Sequence, residues 1–217
     1  MIDILIEYRH LFLQGLITTI ELLFLIVLIG VPLGILLGVL GGRYSKTIAV
    51  VISSLKFLTK IVPVLVLLFW LHFPLQAILG IVVDPFWTTV IALSFVNMVA
   101  VAFIIQSELK LLPFAYREAG MTLGMTKEQI VDHIELPILM KRVLPSIALN
   151  QATMLEYTLF ASLISVPELF KVSQTINSMV YDPVAIYSLL VIFFAVILAP
   201  LHILITIYKK RNIIQYD

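Results

Sequence analysis

Glu156 is the one acidic residue that lies well inside an apolar segment of this sequence. An ionisable group at membrane depth costs roughly 2.5 to 3.5 kcal/mol on insertion scales, so its carboxylate is expected to face a partner or a water-filled cavity. There it could line a passage and bind a cation such as an ammonium or a guanidinium group. The alternative interpretation is a structural ion pair, with a lysine such as Lys60 or with a second subunit.

Uncharged polar side chains in the apolar segments are weaker candidates for contact with a small polar molecule. They are Asn97, Gln151 and Thr158, and the charged Lys60 is a further candidate for the same passage. Because polar residues in membrane helices often only bind one helix to another, a structural role is the favoured interpretation of Asn97, with solute contact second.

No catalytic constellation is visible. The four histidines, His10, His72, His133 and His202, are dispersed without the spacing of metal ligands. A phosphate-binding loop of the Gly-x-x-x-x-Gly-Lys-Ser/Thr type is absent too. The sequence therefore predicts that this chain is not an enzyme, has no metal site, binds no cofactor and does not bind ATP by such a loop.

The composition indicates the elements that must position these residues. Of the 217 residues 61% are hydrophobic and 12% are charged, and the mean hydropathy is +1.11. These values lie far outside the soluble range and predict an all-α integral membrane protein. The net charge of +1 is not gathered into one basic field, so nucleic acid is not an expected partner. The absence of cysteine excludes disulfides and thiolate metal sites.

Five segments are long and apolar enough to cross a hydrocarbon core of roughly 30 Å. The predicted spans are residues 16–40, 48–71, 85–105, 143–165 and 184–208, within a single transmembrane domain of residues 1–217. Ten of the 14 Lys and Arg residues fall on one side of this arrangement, and two fall on the other. The positive-inside rule therefore places the N-terminus outside, and it places the C-terminus and the polar loop at 106–142 in the cytoplasm.

The first span carries Gly30, Gly34 and Gly38 at four-residue spacing. This spacing puts the glycines on one helical face, where another backbone can approach closely, so the face is predicted to be a packing surface.

The longest polar interval runs from about Pro113 to Pro145. It predicts one short helix that is closed by Gly124, where a positive φ would be allowed. A second helix is predicted to open at Thr126, with Gln129 completing a capping box, and to end before Pro137. The expected result is a compact helical hairpin outside the bilayer.

This interval resembles the Glu-Ala-Ala signature, with its glycine and its terminal Ile-x-Leu-Pro, of the permease subunits of bacterial ABC importers. The resemblance is carried by Glu118, Ala119, Gly120, Gly124, Ile134, Leu136 and Pro137. Outside it, the similarity to the polar amino acid permeases covers nearly the whole chain but is less sharp. It rests on Pro63, on Leu144 with Pro145, on Asn150 with Gln151, and on Glu168 with Leu169.

The resemblance implies a type I importer fold in the bacterial plasma membrane, with the signature residues docking on an ATP-binding subunit. ATP and magnesium would then belong to that partner, of which there would be two copies. A second permease subunit and an extracytoplasmic substrate-binding protein are implied as well. The transported solute would be an amino acid or a related small polar amine.

The sequence departs from the family pattern at 60–62, 100–107 and 156–160. These departures favour a heterodimer whose other permease lies closer to the pattern, although a homodimer is possible. They also leave room for a membrane scaffold that transports nothing, or for an importer of a different solute. An ion-coupled carrier is disfavoured because inverted repeats are not apparent.

Overall fold

The computed structural model describes the backbone of residues 1–212 and the side chains of residues 1–210. The side chain of Arg211, which belongs to the predicted cytoplasmic basic group, and residues 213–217 of the predicted domain lie outside the described residues. All regular structure in the described range is helical, as predicted. The α-helices are α1 (Ile2–Glu7), α2 (Arg9–Val39), α3 (Lys46–Ile61), α4 (Val64–His72), α5 (Pro74–Leu79), α6 (Pro85–Leu111), α7 (Phe114–Thr122), α8 (Lys127–Ile130), α9 (Leu136–Thr158), α10 (Leu169–Val180) and α11 (Pro183–Asn212).

Three short segments continue these helices with a different hydrogen-bond pattern. A π turn at Leu40–Tyr44 extends α2, a second π turn at Val131–Glu135 joins α8 to α9, and a 3-10 segment at Leu159–Ile164 follows α9.

The packing of α2 on α6 forms the centre of the fold. A β-carbon on Gly30, Gly34 or Gly38 would lie within 3.0 Å of atoms of α6, so these glycines allow the two backbones to approach. Leu22 and Ile26 of α2 are fully buried in the adjoining core together with Leu93 of α6. The predicted packing face is confirmed, and its partner is the third predicted span.

The second predicted span, 48–71, is not one straight helix. The chain bends by 95° between Lys46–Ile61 and Val64–Leu79. Val62 is extended and Pro63 precedes the first residue of α4, because a proline ring disfavours the helical conformation of the residue before it. The break at Pro63 therefore divides the second predicted span into two helices.

The other predicted spans differ from the observed helices mainly in length. By length and composition Arg9–Tyr44, Pro85–Leu111 and Pro183–Lys210 can each cross a membrane, and the bent pair can supply a fourth crossing. Helix α9 begins at Leu136, seven residues before the predicted start of the fourth span, and its regular part ends at Thr158. It carries more polar residues than the other spans, so the count of five crossings stays a prediction.

The predicted stop at Pro137 is wrong. The π turn places the N–H of Leu136 on the carbonyl of Val131, and Pro137 then lies in the first turn of α9. A proline is tolerated there because its missing N–H is not needed by the helix. The hairpin therefore continues directly into the fourth predicted span, and the polar loop predicted at 106–142 begins only after Leu111.

Candidate functional site

The hairpin, residues 113–135, is held in a fixed shape by local contacts. Gly124 has a φ of +75° and makes the turn between its two helices. Thr126 and Gln129 form the predicted capping box: the Gln129 N–H donates to Thr126 Oγ1 at 3.3 Å, and the Thr126 N–H donates to Gln129 Oε1 at 2.8 Å. A β-carbon on Gly120 would lie 2.6 Å from Cγ1 of Ile130. The two short helices thus pack too tightly to slide past one another.

The outer face of the hairpin is uncovered. Glu118 and Ala119 are exposed, and the apolar side chain of Leu123 is 79% exposed. Apolar side chains that are exposed beside a carboxylate on a rigid helix are typical of a surface that contacts another protein.

The remaining signature residues lie at the base of the hairpin. Leu136 and Pro137 are exposed, and Ile134 is half-buried with its Cδ1 close to Gly120. The structure therefore brings Gly120 and Ile134 together, and it leaves Glu118 on the other side of α7.

Glu135 forms an ion-pair cluster that sequence reasoning missed. Its Oε2 accepts from Arg43 Nη1 at 2.9 Å, and its Oε1 accepts from Arg117 Nε at 3.1 Å and from Arg117 Nη2 at 2.8 Å. The Glu135 side chain is only 10% exposed. We call Arg43, Arg117 and Glu135 the Glu135 cluster. Its one signal in the sequence is a carboxylate beside the Leu-Pro step, on the side of the membrane where the basic residues gather.

A groove of about 540 Å³ lies between the hairpin and the end of the first span. Its lining residues include Arg43, Tyr44, Arg117 and Lys127. The groove is therefore bordered by α7, by the start and end of α8 and by the π turn that ends α2.

Asn97 is fully buried and joins three helices. Its Nδ2 donates to the carbonyl of Ile26 at 3.2 Å and to Gln151 Oε1 at 3.0 Å. Its Oδ1 accepts from Asn150 Nδ2 at 2.7 Å and from Gln151 Nε2 at 3.2 Å. Every hydrogen-bonding position of the Asn97 side chain is thus used within the fold, which agrees with the structural interpretation of this residue.

The other predicted pathway residues are not brought together. Thr158 is buried and donates to the carbonyl of Leu155 at 2.6 Å. Glu156 and Lys60 are both exposed, and neither forms an ion pair among the residues whose side chains are described. The alternative interpretation, in which Glu156 pairs with Lys60, is therefore not supported.

Cation-binding groups are scarce in the described part of the chain. It holds no cluster of three or more His, Asp or Glu side chains that could bind a metal ion.

Glu168 is fully buried, and its two carboxylate oxygens accept from the N–H groups of Phe170 and Lys171, both at 2.8 Å, at the start of α10. Burial raises the pKa of Glu168 to about 7, and these N–H groups oppose the rise.

The sequence of residues 30–213 matches the family model of the binding-protein-dependent transport system inner membrane component. The chain belongs to this family. It is a multi-pass membrane protein and a permease component of an ABC importer, as the resemblance implied.

Two curated relatives of this permease come from Escherichia coli strain K12. The glutamine transport system permease protein GlnP is 24% identical over 189 residues, which cover 84% of this chain and 86% of GlnP. The histidine/lysine/arginine/ornithine transport system permease protein HisQ is 27% identical over 183 residues, which cover 79% of each chain.

A crystal structure of an amino acid ABC transporter with histidines has a chain similar to this permease in fold. The TM-score is 0.85 at 26% sequence identity, and the match covers 95% of this permease and 96% of that chain. The predicted type I importer fold is confirmed by this similarity.

Proposed function

We propose that this permease is the membrane-spanning subunit of an ATP-driven importer for amino acids or related small polar amines. The observation that carries the proposal is the hairpin, which is held together by local contacts and presents an uncovered face. The names of the relatives and of the similar structure, all of which refer to amino acids, support the choice of substrate class.

The outer face of α7 docks on an ATP-binding subunit, and hydrolysis takes place on that partner. Glu118 offers a carboxylate to a basic or hydrogen-bonding group of the partner, and the exposed Leu123 supplies apolar contact area. Two ATP-binding subunits and an extracytoplasmic binding protein complete the importer. Closure of the ATP-binding pair would move the hairpins and switch the access of the pathway between the two sides.

The hairpin faces the cytoplasm in this proposal, so the N-terminus lies outside and the C-terminus inside. The asymmetry of ten basic residues against two supports this orientation.

A passage between two permease subunits is proposed to carry the solute, with Glu156 facing that passage. Glu156 is exposed on α9 and unpaired among the described side chains, and a carboxylate at this depth needs either water or a partner. In the assembled pair its charge would meet a cationic group of the solute or of the second permease. The second permease is a different chain, as the departures from the family pattern favour.

The docking proposal is tested by purification of the permease with candidate ATP-binding subunits after co-expression. The Glu118→Gln variant is expected to reduce both co-purification and uptake in proteoliposomes. The Glu21→Gln variant, which changes an exposed carboxylate of α2 far from the hairpin, serves as the matched control. Normal assembly and uptake with Glu118→Gln would remove this residue from the docking surface, and labelling of the hairpin from outside intact cells would refute the orientation.

The pathway proposal is tested by uptake kinetics of the Glu156→Gln variant. A weaker apparent affinity for cationic amino acids, with assembly intact, is expected if the carboxylate meets the solute. Loss of assembly without a change in affinity would instead assign Glu156 to the contact with the second permease. Unchanged rates and affinities would remove Glu156 from the passage.

A further inference from the structure

One buried carboxylate connects three elements that meet at the base of the hairpin. Glu135 lies in the π turn from which α9 begins, Arg117 lies in α7, and Arg43 lies in the π turn that ends α2. The two guanidinium groups bind different oxygens of Glu135, so neither displaces the other. The Glu135 cluster therefore joins the hairpin to the ends of the first and fourth predicted spans at a single point.

The chemistry of the cluster suits it to resist displacement. Hydrogen bonds between guanidinium and carboxylate groups are short and about twice as strong as neutral ones. Arg117 uses two nitrogens on one oxygen, which fixes its orientation as well as its distance. Because Glu135 is almost fully buried, withdrawal of either arginine would leave part of its charge without compensation.

The other connections of α7 transmit movement less directly. Helix α7 follows α6 through Leu112 and Pro113, both of which are extended, so the helical hydrogen bonds are interrupted between the two helices. The contact of Gly120 with Ile130 stays inside the hairpin. Among the side chains that the structure describes, Arg117 makes the only ion pair of α7.

We propose that Glu135 is a positioning residue for coupling, through which a displacement of α7 moves the cytoplasmic ends of α2 and α9 together. This inference rests on the proposed function, since it requires an ATP-binding partner that displaces α7. Glu135 touches neither the nucleotide nor the solute; it sets how much of the hairpin movement reaches the two helices that pack on α6.

The experiment compares uptake with ATP hydrolysis in the same proteoliposomes, using the complete importer. In the Glu135→Gln variant, the amount of solute imported per ATP is expected to fall roughly tenfold, within the usual range of coupling between sites. The matched control is Asp132→Asn, which changes an exposed carboxylate of the same π turn that forms no ion pair among the described side chains. The control should import the wild-type amount of solute per ATP. If Glu135 is merely structural, Glu135→Gln would lower uptake and ATP hydrolysis in the same proportion.

Arg43→Gln gives a second measurement, because it leaves the pair between Arg117 and Glu135 in place. The amount of solute imported per ATP should fall in this variant too. In the double variant that combines Arg43→Gln with Glu135→Gln, it should be no lower than in Glu135→Gln alone. If Glu135→Gln prevents assembly, Arg43→Gln decides the question. If an assembled variant of the Glu135 cluster keeps the wild-type amount of solute imported per ATP, this inference is overturned and the proposed function is not. If the wild-type complex fails to import, both the proposed function and this inference are overturned.

Discussion

Gly34 and Val101 lie so close together that a β-carbon on the glycine would be 2.7 Å from the Cβ of Val101. The same added atom would be 2.8 Å from the carbonyl oxygen of Met98, which belongs to the backbone of α6 and cannot rotate away. The separation of α2 and α6 is therefore set by the absence of a side chain at residue 34.

The Gly34→Ala variant is expected to destabilise the protein by about 1 to 3 kcal/mol, because the added carbon forces α2 and α6 apart. Gly42→Ala is the matched control: its nearest neighbour is the flexible Cδ1 of Leu109, which can move aside. Thermal unfolding of the detergent-purified variants measures both effects. Equal stability of the two variants would contradict the assignment of this face as the close-packing surface.

The buried amide of Asn97 provides a second test. Asn97→Ala should cost about 1 to 3 kcal/mol, since it removes the hydrogen-bond partner of Asn150 Nδ2 and of Gln151 Oε1. The Asn97→Ala and Gln151→Ala double variant should lose less than the sum of the single variants, because no unpaired amide of this pair remains.

Uptake kinetics distinguish a structural role of Asn97 from a role in binding the solute. If Asn97 is purely structural, the variant that still folds keeps the apparent affinity for the solute. A loss of affinity without a loss of thermal stability would show instead that Asn97 contacts the solute.

The contact between Gly120 and Ile130 predicts that a smaller side chain at residue 130 compensates for a larger one at residue 120. Gly120→Ala should loosen the hairpin and weaken binding of the ATP-binding subunit, since the new carbon would lie 2.6 Å from Ile130 Cγ1. Ile130→Ala removes that atom, so the double variant should bind better than the sum of the single effects implies. Co-purification of the partner gives the measurement, and strictly additive losses would contradict the contact.

Glu168 predicts a dependence of stability on pH. Its pKa is raised to about 7 by burial, from an ordinary value of 4.5. Between these values the folded protein holds a proton that the unfolded chain releases, so the free energy of unfolding falls as the pH rises from about 4.5 to 7. The loss attributable to this group is about 3 kcal/mol, as the difference between the two pKa values implies.

The Glu168→Gln variant removes this titration and keeps an oxygen that can accept at the start of α10. Its melting temperature should therefore change less between pH 5 and pH 8 than that of the wild-type protein. Parallel pH profiles of the two proteins would show that the carboxyl does not titrate in this range.

Features that depend on neighbouring residues were predictable from the sequence. The apolar runs require helices in a membrane, the glycine spacing gives one close-packing face, and the Thr126 to Gln129 capping box forms as expected. The side of the hairpin on which Glu118 lies follows from helical geometry alone, but no local pattern decides what that side contacts.

Sequence patterns failed to predict the course of the backbone at two prolines. A proline inside an ordinary α-helix ends that helix. Pro137 instead follows a π turn and lies in the first turn of α9, where its ring is tolerated, so the helix continues. Pro63 interrupts the second predicted span, and α3 and α4, which both pack on α6, meet at a bend of 95°.

The sequence by itself determined that this chain is a helical membrane protein with a small, well-capped hairpin, because hydropathy, glycine spacing and capping act over a few residues. Only the tertiary structure decided that Glu135 binds Arg43 and Arg117, which lie 92 and 18 residues away along the chain. Ion pairs depend on where separate helices end in space, and that position follows from the packing of whole helices rather than from the residues beside the charge.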